Sequence, residues 1–292
     1  MNTKPVIVVH GGAIFDKKYA DPTEYQDQFI PQYNAFMSEA INTGYTILKN
    51  GGTSLDAIIE SAKIMENCGY FDAGKGAVKD KNGTFSLDAS IMDGQTLKAG
   101  AVADCLVKNP SEIARLVMDT TGHVLIVGDG ANQIAKENNK EVIEYSYFDN
   151  PHRNQTSEHG TIGVVALDTH GNLAAVTSTG GLTNKFPHRV GDSPIVGAGI
   201  YASNETCAVS CTGTGEFFIR TVAAFNIAAR MKYGKQPLSA AAQASLDEIT
   251  AMGALGGMIC LDREGNIAAP YNCPGMFHGY IDKTGEMTIK MF

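Results

Sequence analysis

The chain has 292 residues, 43% hydrophobic and 18% charged, a balance that supports a large buried core and excludes general disorder. Acidic residues outnumber basic ones by 31 to 23, giving a formal charge of −8, and no run of basic residues marks a nucleic-acid binder. The apolar run Val6–Val9 is too short for a membrane span or a signal-peptide core, so the expectation is a soluble, cytoplasmic protein.

In chain order, Val6–Val9 reads as a buried strand that ends in the turn His10-Gly11-Gly12. Phe29, Tyr33, Phe36, Ala40, Ile41, Tyr45 and Leu48 recur at helical spacing, and Gly51-Gly52 supplies a stop. Ser54 is placed to cap a second helix running to about Glu66. Residues 84–104 alternate and predict two adjacent strands, and Asn109-Pro110 opens a short helix with proline at its first position. Val124–Val127 is a further strand. The polar, aperiodic stretch 145–160 reads as an exposed linker.

The second half restarts with Ile162–Leu167 and Leu173–Thr177, joined by a hairpin turn at Thr169–Asn172. Glu216–Met231 and Ser239–Met252 are helical, and Gly257–Leu261 pairs with Ile267–Ala269 as a hairpin. Strands that pair locally favour antiparallel sheets over a βαβ repeat. The chain has 32 glycines, a high share that predicts tight loops, and no internal repeat.

Several motifs are weak in context. Gly69–Gly76 nearly spells a phosphate-binding loop, but it follows a helix and ends in Gly76 where a hydroxyl is needed. Gly197-Ala198-Gly199-Ile200-Tyr201-Ala202 fits a dinucleotide fingerprint without the strand and helix that should flank it. The cysteines Cys68, Cys105, Cys207, Cys211, Cys260 and Cys273 match no common zinc spacing and read as buried free thiols. His10, His123, His170 and His278 read as surface or structural histidines.

Hydroxyls and glycines concentrate between residues 159 and 215, in His159-Gly160-Thr161, Thr177-Ser178-Thr179-Gly180-Gly181 and Thr212-Gly213-Thr214-Gly215, with the pair Arg189 and Asp192 between them. A threonine hydroxyl needs a base. One solution is a threonine that is its own N-terminus, whose α-amine has a reference pKa of about 7.7–8.0. That state requires cleavage of the Gly160–Thr161 bond, and Gly160 would tolerate the backbone strain that promotes it. The alternative is that Thr161 merely begins a strand.

The stretch HGTIGVVALDTHGNLAAVTSTGGLTNKFPHRVGDSPIVGAGIYA at 159–202, continued by SCTGTGEFFIR at 210–220, resembles the signature of the plant-type L-asparaginase/isoaspartyl peptidase family. Upstream, VVHGGA at 8–13, FDAGKGAV at 71–78, LDASIMDG at 87–94 and NPSEIARLVM at 109–118 resemble it in the same order. The resemblance implies an α+β N-terminal nucleophile hydrolase with a four-layer αββα sandwich, cleaved into an α chain (1–160) and a β chain (161–292). It implies Thr161 as nucleophile, Thr179 as its hydrogen-bond partner, and Thr212 with the Gly213 amide as oxyanion hole. Arg189 would hold the substrate α-carboxylate, and Asp192, with the Gly215 carbonyl, its α-ammonium. Substrates would be L-asparagine and β-aspartyl dipeptides. No catalytic cofactor is implied. A structural sodium ion is, on the backbone carbonyls of Met65, Glu66, Cys68, Phe71, Ala73 and Lys75, as is an (αβ)2 assembly.

Four departures stand out: Asp72 where an asparagine is usual, His188 where glycine commonly precedes the arginine, Ile14 directly after HGGA, and a short linker before Thr161. Asp72 would either raise the pKa of the Thr161 amine or alter the hydrogen bonding of its loop. Glycosylasparaginase is a rival, although its members tend to show TSTNG and TGNGD and a tryptophan near the substrate, and this chain has no Trp. An unprocessed, non-catalytic binder is a second.

Overall fold

The computed structural model describes residues 3–15, 30–150 and 160–291. Twelve strands are described: β1 (Val6–Ile14), β2 (Leu87–Asp93), β3 (Ala99–Cys105), β4 (Leu125–Val127), β5 (Ile162–Leu167), β6 (Leu173–Thr179), β7 (Ile200–Ala202), β8 (Cys207–Gly213), β9 (Gly256–Asp262), β10 (Ile267–Ala268), β11 (Gly275–Ile281) and β12 (Met287–Lys290). The helices are α1 (Ile30–Lys49), α2 (Ser54–Cys68), α3 (Pro110–Thr120), α4 (Asp129–Glu137), α5 (Gly215–Thr221), α6 (Ala223–Lys232) and α7 (Leu238–Ala251).

Eight strands form one sheet in the order β12-β11-β1-β5-β6-β2-β3-β4, and four form a second in the order β10-β9-β8-β7. All neighbours are antiparallel except β3 and β4. Side chains alternate between the two faces of a strand, so each strand divides its residues between two layers. On β1, Ile7 and Val9 face the core under α1–α3, whereas Val6 and Val8 face the second sheet. On β8, Ala208 faces the large sheet, and Cys207, Val209 and Cys211 face α5–α7. Three apolar layers thus separate helices, sheet, sheet and helices, which is the αββα sandwich. No helix among the described residues is long and apolar enough to cross a membrane.

Several elements depart from the sequence reading. β1 does not end at His10-Gly11-Gly12 but runs on to Ile14, with a bulge between His10 and Gly12. Gly12 sits at φ 108°, and a Cβ there would clash with the Gly160 carbonyl, so the glycine pair bends a strand rather than closing a turn. The cap of α2 is Thr53, whose hydroxyl accepts from the Asp56 amide, and not Ser54. The helix expected over Glu216–Met231 is broken at Val222, which adopts a left-handed conformation at φ 49°. α4, β7, β8, β11 and β12 have no counterpart in the local sequence pattern. Within the expected linker, Phe148 is buried and stacks on Phe85, with ring centroids 4.2 Å apart. The rest of that stretch, from 151 to 159, lies outside the described residues, as does His159. The six cysteines are free thiols, four of them buried.

Gly100 on β3 sits where α3 crosses the sheet, and a Cβ there would clash with the Ala114 carbonyl. Gly100→Ala is expected to lower stability by about 1–3 kcal/mol through overpacking. An unchanged urea midpoint would contradict this close helix–sheet contact.

Candidate active site

Parity carries the three threonines to one place. Val165 on β5, Ala175 on β6 and Ala208 on β8 all face the inter-sheet layer. Two-residue steps bring Gly163, Thr177 and Ser210 to that face, and two more bring Thr161, Thr179 and Thr212 to its end. Thr161 and Thr179 are buried, and their hydroxyls form a 3.1 Å hydrogen bond. Thr179 Oγ1 also accepts from the Gly181 amide at 2.9 Å. Thr212 Oγ1 accepts from the Ala13 amide at 3.1 Å, which leaves its own O–H free for another acceptor. A Cβ on Gly160 would lie 3.3 Å from Thr212 Oγ1, so the Gly160–Thr161 bond sits between the β1 bulge and the end of β8.

The turn after Thr179 is held from below. The Lys185 ammonium, almost fully buried, donates to the Gly180 carbonyl at 2.8 Å and the Ser86 carbonyl at 3.0 Å. The Asp72 carbonyl accepts from the Gly180 amide at 2.9 Å, and its Oδ1 accepts from the Val78 amide at 3.1 Å. Asp72 thus takes part in the hydrogen bonding of its own loop.

Arg189, Asp192 and Gly215 also converge: a Cβ on Gly215 would lie 2.6 Å from Asp192 Oδ1 and 3.1 Å from Arg189 Nη2. Arg189 makes a forked pair with Glu216, Nε to Oε1 at 2.9 Å and Nη2 to Oε2 at 2.8 Å. Asp192 Oδ2 is buried without a hydrogen-bond partner among the described residues, and burial raises the carboxyl pKa to about 7. His188 adopts φ 65° and is exposed, with its ring Nδ1 2.6 Å from Asp104 Oδ2, which raises the imidazole pKa.

The chain curls tightly from the last turn of α2 to Gly76: a Cβ on Gly74 would strike the Glu66 carbonyl, and one on Gly76 the Phe71 carbonyl. No cluster of three or more His, Cys, Asp or Glu suited to a metal occurs among the described residues, so a cation here would rely on main-chain oxygens. The carbonyls of Met65, Phe71 and Ala73 each accept a hydrogen bond, from Cys68 Sγ, the Ala73 amide and the Gly76 amide, and a carbonyl oxygen carries two lone pairs. Neutral oxygens of this kind suit a hard cation.

Sequence reasoning gave Glu66 a role only through its backbone. Its carboxylate is fully buried and accepts from Ser178 Oγ at 2.7 Å, the Ser111 amide at 3.0 Å, Ser111 Oγ at 2.9 Å and Asn109 Nδ2 at 3.0 Å. Burial raises its pKa to about 7 against these donors. Ser178 points to the helical side of the sheet, so Glu66 fastens the strand that carries Thr179 to α2 and α3. His10, read as a surface or structural histidine, is fully buried and bonded to Ser210, a residue that sequence reasoning missed. The signal for Ser210 is hydroxyl-x-hydroxyl spacing, shared by Thr177-Ser178-Thr179 and Ser210-Cys211-Thr212.

An αββα sandwich with hydroxyls gathered at one end of the inter-sheet layer is the architecture of the N-terminal nucleophile hydrolases. Comparison with known proteins narrows the class. A family model described as asparaginase matches residues 3–156 and 149–291. The isoaspartyl peptidase of Salmonella typhimurium is 43% identical over 95% of this chain and 95% of its own length. That of Escherichia coli is 42% identical over 95% and 92%. The isoaspartyl peptidase/L-asparaginase of Danio rerio is 38% identical over 92% and 89%. The chain belongs to this asparaginase family.

The native state holds the Asp192 proton up to about pH 7, whereas the unfolded chain releases it in the ordinary carboxylate range. The stability from that proton is full at low pH and is lost as pH rises through this window. Relative to Asp192→Asn, the wild type should therefore lose stability between about pH 4 and about pH 7, read by urea unfolding. Parallel pH profiles for the two proteins would contradict the raised pKa.

Proposed function

We propose that the chain is an isoaspartyl peptidase and L-asparaginase whose nucleophile, Thr161, is exposed by cleavage of the Gly160–Thr161 bond. The observation that carries the reading is the buried Thr161–Thr179 hydroxyl contact at 3.1 Å beside Thr212. The names and coverage of the relatives support the same activity.

In this reading Thr161 Oγ1 attacks the side-chain carbonyl of an aspartyl unit, and the freed α-amine accepts the hydroxyl proton. The Thr212 hydroxyl and the Gly213 amide donate to the oxyanion, a kind of contact that typically lowers the barrier by about 2.7–4 kcal/mol per donor. The amine returns the proton to the leaving nitrogen, and ammonia or an amino acid departs. Water then hydrolyses the β-aspartyl ester to L-aspartate and restores Thr161.

Arg189 binds the substrate α-carboxylate. The unpartnered Asp192 oxygen, with the Gly215 carbonyl, takes the α-ammonium, which pulls the carboxyl toward its ionised form. Such a clamp requires a free α-amine and α-carboxylate on the aspartyl side. A sodium ion on the 65–75 carbonyls would shape the loop that holds Gly180 and takes no part in the chemistry. The division into 1–160 and 161–292 and the (αβ)2 assembly belong to the same proposal, by resemblance, as does a cytoplasmic location, from the short apolar run Val6–Val9.

Thr161→Ala is expected to remain one uncleaved chain without β-aspartyl dipeptidase activity, and normal processing of that variant would overturn the role of Thr161. Arg189→Ala should raise KM for a β-aspartyl dipeptide by about 10- to 100-fold, as expected for a lost charged hydrogen bond. Little kinetic change would remove the carboxylate role.

A further inference from the structure

One register step beneath the three threonines lies a second row of polar groups that the chemistry above does not use. His10 on β1 pairs with Gly163 on β5, Gly163 with Thr177 on β6, and Thr177 with Ser90 on β2. This row crosses four adjacent strands of the large sheet. All three of its polar side chains are fully buried, as is Ser210 opposite them on β8.

The row reaches across to the second sheet and to the Asp192 loop. His10 Nε2 lies 2.9 Å from Ser210 Oγ, and Ser210 Oγ lies 2.7 Å from Thr177 Oγ1. Thr177 Oγ1 donates to the Gly199 carbonyl at 3.3 Å, and the Gly199 amide donates to the Asp192 carbonyl at 3.2 Å. Ser90 Oγ donates to the Ser193 carbonyl at 2.5 Å. Residue 163 is glycine because this space is filled: a Cβ there would clash with both Ser210 Oγ and His10 Nε2. Burial, with a contribution from His278, drives the imidazole pKa down to about 3, and the Thr161 main chain opposes the shift. His10 is therefore neutral and serves no acid–base role near neutral pH.

Polarity at this depth has no stability rationale. One step further in, the same strands present Val8, Val165, Ala175 and Ala208, and replacing both partners of a buried hydrogen bond by apolar groups is often close to neutral. Hydrogen bonds differ from apolar contacts in fixing a distance and a direction. Here they tie together the strands that carry Thr161, Thr179 and Thr212 and the loop that carries Asp192.

We propose that His10, Thr177 and Ser210, with Ser90, form a positioning layer that sets the spacing between the Thr161 nucleophile, the Thr212 hydroxyl and the Asp192 loop. The proposal rests on the threonine hydrolase reading above. None of the four residues touches substrate; each acts through the residue two positions along its strand or through the loop it holds.

The test compares Thr177→Val, which keeps the shape and removes the hydroxyl, with Thr177→Ser, which keeps the hydroxyl and removes a methyl. Wild type and Ser210→Ala are assayed beside them on a β-aspartyl dipeptide. Thr177→Val and Ser210→Ala should lower kcat by about 10- to 100-fold with little change in KM, the penalty expected of a small misplacement of reacting groups. Thr177→Ser should retain most of the wild-type kcat. Wild-type kcat in both hydroxyl-deleted variants overturns the layer, as does a loss in Thr177→Ser equal to that in Thr177→Val, which would mark a packing role. Should Thr177→Val fail to fold, Ser210→Ala carries the comparison. A wild type that cleaves at Gly160–Thr161 without turnover counts against the hydrolase reading alone, and the same ordering of variants is then read from cleavage rates by intact mass. A wild type that does neither overturns both.

Discussion

The site depends on two sheets meeting face to face through strands whose side chains alternate. β5, β6 and β8 each direct every second residue into the shared layer, and at one end those residues are Thr161, Thr179 and Thr212. A slip of one residue in any of the three would send a threonine to the helical side and a neighbour such as Ser178 or Cys211 into the layer. Register is strongly specified, because each strand is apolar on both faces deeper in the sandwich. The register of the rim is thus fixed by hydrophobic packing deeper in the sandwich.

Electrostatics follows from the same enclosure. Buried groups either find several donors or give up their charge. Glu66 takes the first course only in part: four hydrogen-bond donors surround its carboxylate, yet burial still raises its pKa to about 7. His10 takes the second and stays neutral. Asp192 fares no better, with one oxygen left without a partner among the described residues and a pKa raised by burial to about 7. An unpartnered buried carboxyl oxygen is unfavourable in the resting protein, and a ligand ammonium is the kind of group that would relieve it. Glu216, half-exposed, plays a different part: it pairs with Arg189 on the solvent side, where ion pairs contribute little to stability.

Much of this was legible from residue patterns. The strands of the central hairpin, the helices opened by Pro110 and near Ser54, and the antiparallel character all followed from local periodicity. The elements that escaped owe their form to distant partners. β11 exists because β1 lies beside it, and β8 because β9 does. β1 outruns its glycines because a bulge, invisible in local propensity, lets the strand bend toward Gly160. Val222 breaks a helix whose apolar spacing is unbroken. The threonines and the Arg189–Asp192 pair stood out by residue type. The roles of His10, Ser210 and the Glu66 carboxylate did not, since an isolated histidine or serine carries no local mark and their partners lie 33 to 200 positions away.

The central claim is that a residue in the middle of the chain becomes a chain start bearing its own base. N-terminal sequencing of purified, aged wild type, paired with a β-aspartyl dipeptide assay of the same sample, addresses it most directly. The account expects a second N-terminus beginning Thr-Ile-Gly-Val, with hydrolysis rising as that species accumulates. Full turnover by a chain that shows only its original N-terminus would contradict it.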